Sequence, residues 1–272
     1  LPYFEPARKF DQGFAHYDNE NARLHARAGV GDARGWSAQE QTNKAITFLA
    51  NNRARRWFLW VHYFEPHYRY ERHPMSATFG ESERDLYDGE IRFTDDEVGR
   101  LLGYLRERGL FDNTIIVVTS DHGEGFGEHG VEFHARHLYA AQTRVPMLLR
   151  VPGRSPQRIS TPIGHIDLSP TLLDIIGEPS PSDWMGRSVT SALDGGDEKR
   201  VIFQQLSLGK GRETRGAASD KCHVLYHIRP DATWEVYRVD IDPAEMIDRS
   251  DDPTVCADTR RALEAWCEQG CD

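Results

Sequence analysis

Apolar residues along the chain fall into two alternating rhythms, unbroken runs of strand length and stripes at helical spacing. Residues 1–36, rich in Gly, Asp, Asn and Arg, read as irregular, with one short helix around 19–28. Ser37-x-x-Glu40 has the form of a capping box, and Ala45, Ile46 and Leu49 continue an apolar stripe behind it. The run at 57–61, WFLWV, reads as a buried parallel strand, with Trp57 and Trp60 in its core. A second helix is expected over 85–108, where Tyr87, Ile91, Val98, Leu101 and Leu105 recur at helical spacing and Gly109 suits the C-terminal cap. Residues 114–119 and 145–150 are two more strands. Ser169 and Pro170 open a helix that runs to Gly177. This rhythm means an α/β fold, a mostly parallel sheet covered by helices on both faces. After about residue 197 the pattern becomes alternating strands (201–206, 222–228, 234–239) and a last helix near 259–268, a small antiparallel sheet plus helix. The expected division is a main domain at 1–196 and a C-terminal subdomain at 197–272.

Composition narrows the function. With 272 residues the chain can bury a real core. Acidic residues outnumber basic ones, 43 to 33, for a net charge of −10, which argues against a general nucleic-acid binder. No run of about 18 apolar residues is present to span a membrane, and there is no signal-peptide pattern. The chain opens on Leu1 in the middle of what reads as sequence, so a piece of a longer protein is expected. Cys222, Cys256, Cys267 and Cys271 lack the Cys-x-x-Cys spacing of a zinc site, although His223 and His227 lie near Cys222. They read as buried thiols or as one or two disulfides.

Open α/β sheets bind ligands beyond the carboxyl ends of their strands. One such end carries Asp121 and His122; another carries His62, Glu65 and His67. A hard oxygen donor beside an imidazole makes half of a metal site. The glycine-rich stretch 123–130 and the following His134, Arg136 and His137 could neutralise an anion, or form a plain surface loop. Asp167 is expected to serve the N-terminus of the helix it precedes, and Asp95-Asp96-Glu97 to be a solvated helix face.

Ser120-Asp-His-Gly-Glu124, Gly127-Glu-His-Gly130, Leu138-Tyr139, Arg144-Val-Pro146, Phe64-Glu-Pro-His67 and the segment His165 to Asp174 together resemble the sulfatase family of the alkaline phosphatase superfamily. The likeness spans about residues 57–250, the middle and C-terminal parts of the family. It implies a sulfuric ester hydrolase acting on a small sulfate ester or a sulfated glycan. It also implies one divalent metal on Asp121 and His122, calcium in most members, with manganese or zinc the alternatives. His67 matches a histidine that contacts the sulfate and assists proton transfer. Where the family often has a lysine before Leu-Tyr, this chain has His134, Arg136 and His137. His134 and then His137 are the expected catalytic contacts, with Arg136 binding substrate. The Cys/Ser-x-Pro-x-Arg motif that becomes formylglycine, and the early Asp-Asp metal pair, are not in this sequence. The chain by itself therefore lacks a nucleophile and is expected to be inactive alone, with formylglycine upstream. A phosphonate monoester or phosphodiester hydrolase of the same superfamily is the alternative, and a non-catalytic binding module a further one. An upstream segment or a dimer partner is expected to cover the edge at 57–61. The resemblance suggests a periplasmic or extracellular location.

Overall fold

The computed structural model describes residues 8–19, 38–73, 79–196 and 198–268. The helix expected around 19–28 falls almost wholly outside these residues, as do Ser37 and Cys271. The chain forms two compact units, residues 1–115 with 150–153, and 116–149 with 154–272.

In the first unit α1 (Ala38–Asn52) packs against α2 (Glu83–Glu107). Ala38, Thr42, Ala45 and Leu49 are buried, a spacing that puts all four on one helix face. Ser82 and Asp85 cap the start of α2 reciprocally, and Gly109 follows its end at φ 67°. Its deepest residues are Glu90, Glu97 and Leu105. Glu97 therefore corrects one expectation. Asp95 and Asp96 are exposed, but Glu97 points inward and pairs with Arg100 at 2.5 Å. The run at 57–61 is a second correction, since no strand of the described residues pairs with it. Phe58 is 68% exposed and Trp60 61%. A buried strand needs neighbours for its N–H and C=O groups, and none of the described strands supplies them.

The second unit holds β1 (Ile116–Thr119), β2 (Gly125–Phe126), β3 (Glu132–Phe133), α3 (Ala140–Thr143), β4 (Met147–Arg150), α4 (Leu168–Ile175) and α5 (Thr190–Leu193). β1 pairs with β4, and β2 pairs antiparallel with β3. α4 starts at Leu168, one residue before the expected cap. The Asp167 carboxylate does not cap this helix. It accepts from Gly164 N (3.0 Å), Arg187 N (2.9 Å) and Arg200 Nη2 (2.9 Å), and so fastens the turn before α4 to two distant segments.

Further along, β5 (Ile202–Ser207), β6 (Glu213–Ala218), β7 (His223–Arg229) and β8 (Thr233–Tyr237) form an antiparallel meander, followed by α6 (Ala257–Glu268). The antiparallel C-terminal sheet and its helix are thus as expected. β6 was not visible in the hydrophobic pattern because its buried residues include Glu213, Thr214 and Arg215. Their charges are matched locally: Glu213 pairs with Arg215 at 2.7 Å and also with Arg229, and Arg215 lies over the Trp266 ring. Ala217, Val224, Val236 and Leu263 make the core beneath. No helix among the described residues is long and apolar enough to cross a membrane.

Cys222 and Cys256 form a disulfide across 34 residues, joining the turn before β7 to the segment before α6. A crosslink of this span restricts the unfolded chain and stabilises by about 2–4 kcal/mol. Cys222→Ser should lower stability by that amount in denaturant unfolding, and reductant should bring the parent protein down to the level of the variant.

Candidate functional site

β1 ends at Thr119, whose hydroxyl donates to Pro146 O (2.9 Å) and lies 3.3 Å from His165 Nε2. The next residues turn sharply: Ser120 Oγ donates to His122 O (2.6 Å), and His122 N donates to Asp121 Oδ1 (3.0 Å). His122 Nδ1 lies 2.9 Å from Gly123 O, a carbonyl that can only accept. Nδ1 therefore carries the proton, and Nε2 keeps its lone pair. That nitrogen sits 3.7 Å from Asp121 Oδ2. Two donors held at about 2.0–2.5 Å from one ion, at roughly right angles, lie about 3–3.5 Å apart, so the pair fits a shared cation with little adjustment. The Asp121 side chain is 71% exposed, which leaves it open to an incoming ion. Among the described residues no group of three or more His, Cys, Asp or Glu could hold a metal. Asp121 and His122 by themselves could therefore supply at most two ligands of a coordination shell.

Gly123 permits this geometry. Its N–H donates to Gln142 O (2.8 Å), and a Cβ there would collide with the carbonyl of Ala141. His134 is brought over the pair from the other side of the β2–β3 hairpin. Its ring stacks on that of His122 with centroids 4.0 Å apart, and its Nδ1 lies 3.1 Å from Glu124 Oε1. A carboxylate can only accept, so Nδ1 donates and the proton sits there. Both neighbours of His134 are left-handed, Phe133 at φ 65° and Ala135 at φ 61°. Such backbone costs roughly 1–2 kcal/mol per residue, and the surrounding structure must hold it. Gln142 does so. Buried to 5% exposure, it donates from Nε2 to Phe133 O (3.0 Å) and accepts at Oε1 from Arg136 N (3.4 Å) and His137 N (3.3 Å). Gln142 was missed in the sequence because an amide in an Ala-Ala-Gln-Thr segment gives no chemical signal.

The two histidines expected to share one role are separated. His134 joins His122, whereas His137 meets Arg212 Nη2 at 3.1 Å and stacks along Tyr139. Arg136 is exposed.

In the first unit His67 stands on a loop gathered around one buried carboxylate. Glu90, 2% exposed, accepts from His67 N (3.1 Å) and Glu71 N (2.8 Å). The His67 ring stacks on Phe64 at 4.3 Å, and its Nδ1 lies 2.6 Å from Tyr68 O. Nδ1 is again the protonated nitrogen. Glu65 on the same loop accepts from Ala38 N (3.2 Å), while its Oε2 is buried with no hydrogen-bond partner. Burial pushes the Glu65 carboxyl up to about 7, against the pull of its backbone hydrogen bonds.

Two predictions follow from this geometry. Because the folded Glu65 keeps a proton that the unfolded chain loses above about pH 4.5, stability falls as pH rises towards 7 and stays lower beyond it. Glu65→Gln should therefore leave the melting temperature near pH 4 unchanged and raise it at pH 8, as read by thermal unfolding at both pH values. Gln142→Leu removes the side-chain hydrogen bonds to Phe133 O, Arg136 N and His137 N, and should cost about 1–3 kcal/mol in denaturant unfolding.

The sulfatase family model matches residues 3–178, and the model described as N-sulphoglucosamine sulphohydrolase, C-terminal, matches residues 127–268. An N-acetylglucosamine-6-O-sulfatase of Bacteroides thetaiotaomicron is 34% identical over 174 residues, 59% of this chain and 30% of that relative's length. Among solved structures, the YidJ protein of Bacteroides fragilis superposes with a TM-score of 0.72 at 24% identity, over 85% of this chain and 58% of that one, a likeness of fold alone. A phosphonate monoester hydrolase from Silicibacter pomeroyi has a TM-score of 0.58 at 25% identity, over 69% of this chain and 40% of that one. With a family model covering more than half its length, this chain belongs to the sulfatase family.

Proposed function

We propose that this chain is the middle and C-terminal part of a metal-dependent hydrolase of sulfate esters, with a sulfated sugar as substrate. The observation that carries the reading is the cluster at the end of β1, Asp121 and His122 with donor atoms 3.7 Å apart and His134 stacked on His122. The relative that acts on N-acetylglucosamine-6-O-sulfate supports the choice of a sugar. Asp121 and His122 would hold the divalent ion. Calcium takes six to eight oxygen ligands, so other parts of the whole protein must complete its shell. The ion, when bound, would neutralise charge on the sulfuryl oxygens.

The chain's own groups do the rest. With Nδ1 tied to Glu124, His134 protonated at both ring nitrogens would donate from Nε2 to a sulfuryl oxygen and offset part of its negative charge. His67 matches the family histidine that assists proton transfer; with Nδ1 tied to the Tyr68 carbonyl, it would carry a transferable proton on Nε2 only when both ring nitrogens are protonated. The nucleophile, formylglycine in this reading, belongs upstream, as do the strands that would complete a mostly parallel sheet around β1 and β4 and cover residues 57–61. A phosphonate monoester hydrolase is the second reading. It is favoured by the structural likeness to such an enzyme and by the nitrogen ligand His122, which suits manganese or zinc.

In the whole protein, His134→Ala should lower kcat/KM for 4-nitrophenyl sulfate about 10²–10⁴-fold, with Asp121→Asn abolishing activation by added calcium. Unchanged turnover in both variants would remove this reading. A higher kcat/KM for a phenylphosphonate monoester than for the sulfate, in the parent protein, would install the second.

A further inference from the structure

We infer that His137 and Arg212 form a second anion-binding subsite, which receives a further acidic group carried by the same sugar substrate, either a second sulfate or a uronate carboxylate. This inference rests on the sulfate-ester reading above for the position of the substrate. Arg212 follows the turn Gly209–Gly211 and leads into β6, with its carbonyl accepting from Leu208 N at 2.9 Å. Its side chain is exposed and meets both ring nitrogens of His137, at 3.1 and 3.4 Å. An imidazole can accept from a guanidinium only through one lone pair, and it cannot neutralise the charge. The neighbouring arginines differ in this respect: Arg215 and Arg229 both pair with Glu213.

Glu235, a carboxylate that acts on His137, is already committed. Glu235 accepts from Tyr139 OH (3.2 Å), His227 Nε2 (3.0 Å) and Tyr237 OH (2.7 Å). Burial lowers the pKa of His137, and Arg212, His227 and His129 lower it further against the pull of Glu235, which favours the neutral ring. A neutral imidazole beside a guanidinium offers directed N–H donors to a planar carboxylate or to sulfate oxygens, the geometry that arginine recognises best. Tyr139 extends the wall, parallel to His137 within 12° and to His129 within 13°. His137 is three residues from His134, so their Cα atoms are at most about 11 Å apart. One or two pyranose rings can bridge that span. A substrate whose reacting sulfate lies at His134 could therefore bring a second anion to Arg212.

The test compares the whole protein with Arg212→Ala and Arg212→Lys on four substrates. These are 4-nitrophenyl sulfate, a hexosamine with one sulfate, a hexosamine with two, and a monosulfated disaccharide containing a uronate. For Arg212→Ala the expected result is a KM about 10- to 100-fold higher on the substrates with two acidic groups. Their kcat should stay within about threefold, the first two substrates should change less than about threefold, and Arg212→Lys should recover part of the loss. Whether the disulfated sugar or the uronate responds identifies the anion. An equal loss on all four substrates, or no change on any, would overturn the subsite. If the parent protein hydrolyses no sulfate ester, the function proposed above fails by itself. Calorimetric binding of the disulfated hexosamine then still decides the subsite, which is overturned if parent and Arg212→Ala bind it equally.

Discussion

One buried carboxylate holds the histidine loop to the C-terminal sheet. Glu245, 1% exposed, accepts from His223 Nδ1 at 2.5 Å and from Ala140 N at 2.8 Å, and His223 reaches on to Gln204 Oε1 at 2.8 Å. Four separate stretches of chain thus meet at one buried polar cluster: the start of α3, β5, β7 and the segment after β8. Breaking a buried pair of this kind by removing one partner typically costs about 3–5 kcal/mol, because the other partner is left uncompensated. Leu138 reinforces the joint by packing with Leu225 and Tyr237. The same cluster answers the question of zinc at Cys222 and His223, since the cysteine is in a disulfide and the histidine is taken by Glu245 and Gln204.

From this anchor the histidine loop runs back towards β1 under tension. Phe133 and Ala135 hold left-handed backbone on either side of His134, and Gln142 satisfies the backbone groups that this leaves behind. Glu124 and the Gly123 carbonyl then settle which ring nitrogen of His134 and His122 carries the proton. At His67, His122 and His134 alike, an acceptor engages Nδ1.

Glu235 plays a comparable part behind His137. Burial alone would raise its pKa, but the bonds from His227, Tyr237 and Tyr139 outweigh burial and hold it at about 2. As a depressed carboxyl, it contributes stability above the ordinary glutamate range that is lost only as pH falls towards 2. It therefore stays charged at neutral pH, engaged by Tyr139, His227 and Tyr237.

Periodicity was enough to place α1, α2, α4, α6, β1, β4, β5, β7 and β8 within a few residues, and motif chemistry named Asp121, His122, His67, His134, His137 and Arg136 as candidates. These signals are local. A helical stripe or an apolar run reports on its own residues, and a strand-ending Asp-His pair reports its chemistry wherever the chain goes. Other outcomes depended on partners distant in sequence. β6 is a central strand that carries Glu213 and Arg215 because Arg229 and Trp266 come to meet them, and Glu90 turns inward because the amides of a distant loop receive it. The run at 57–61 reads as core by composition, yet Phe58 and Trp60 lie exposed, since burial requires a neighbouring surface and not only an apolar sequence. His134 and His137 look interchangeable in the sequence. Only the tertiary structure separated them, by setting one against Glu124 and the other against Arg212.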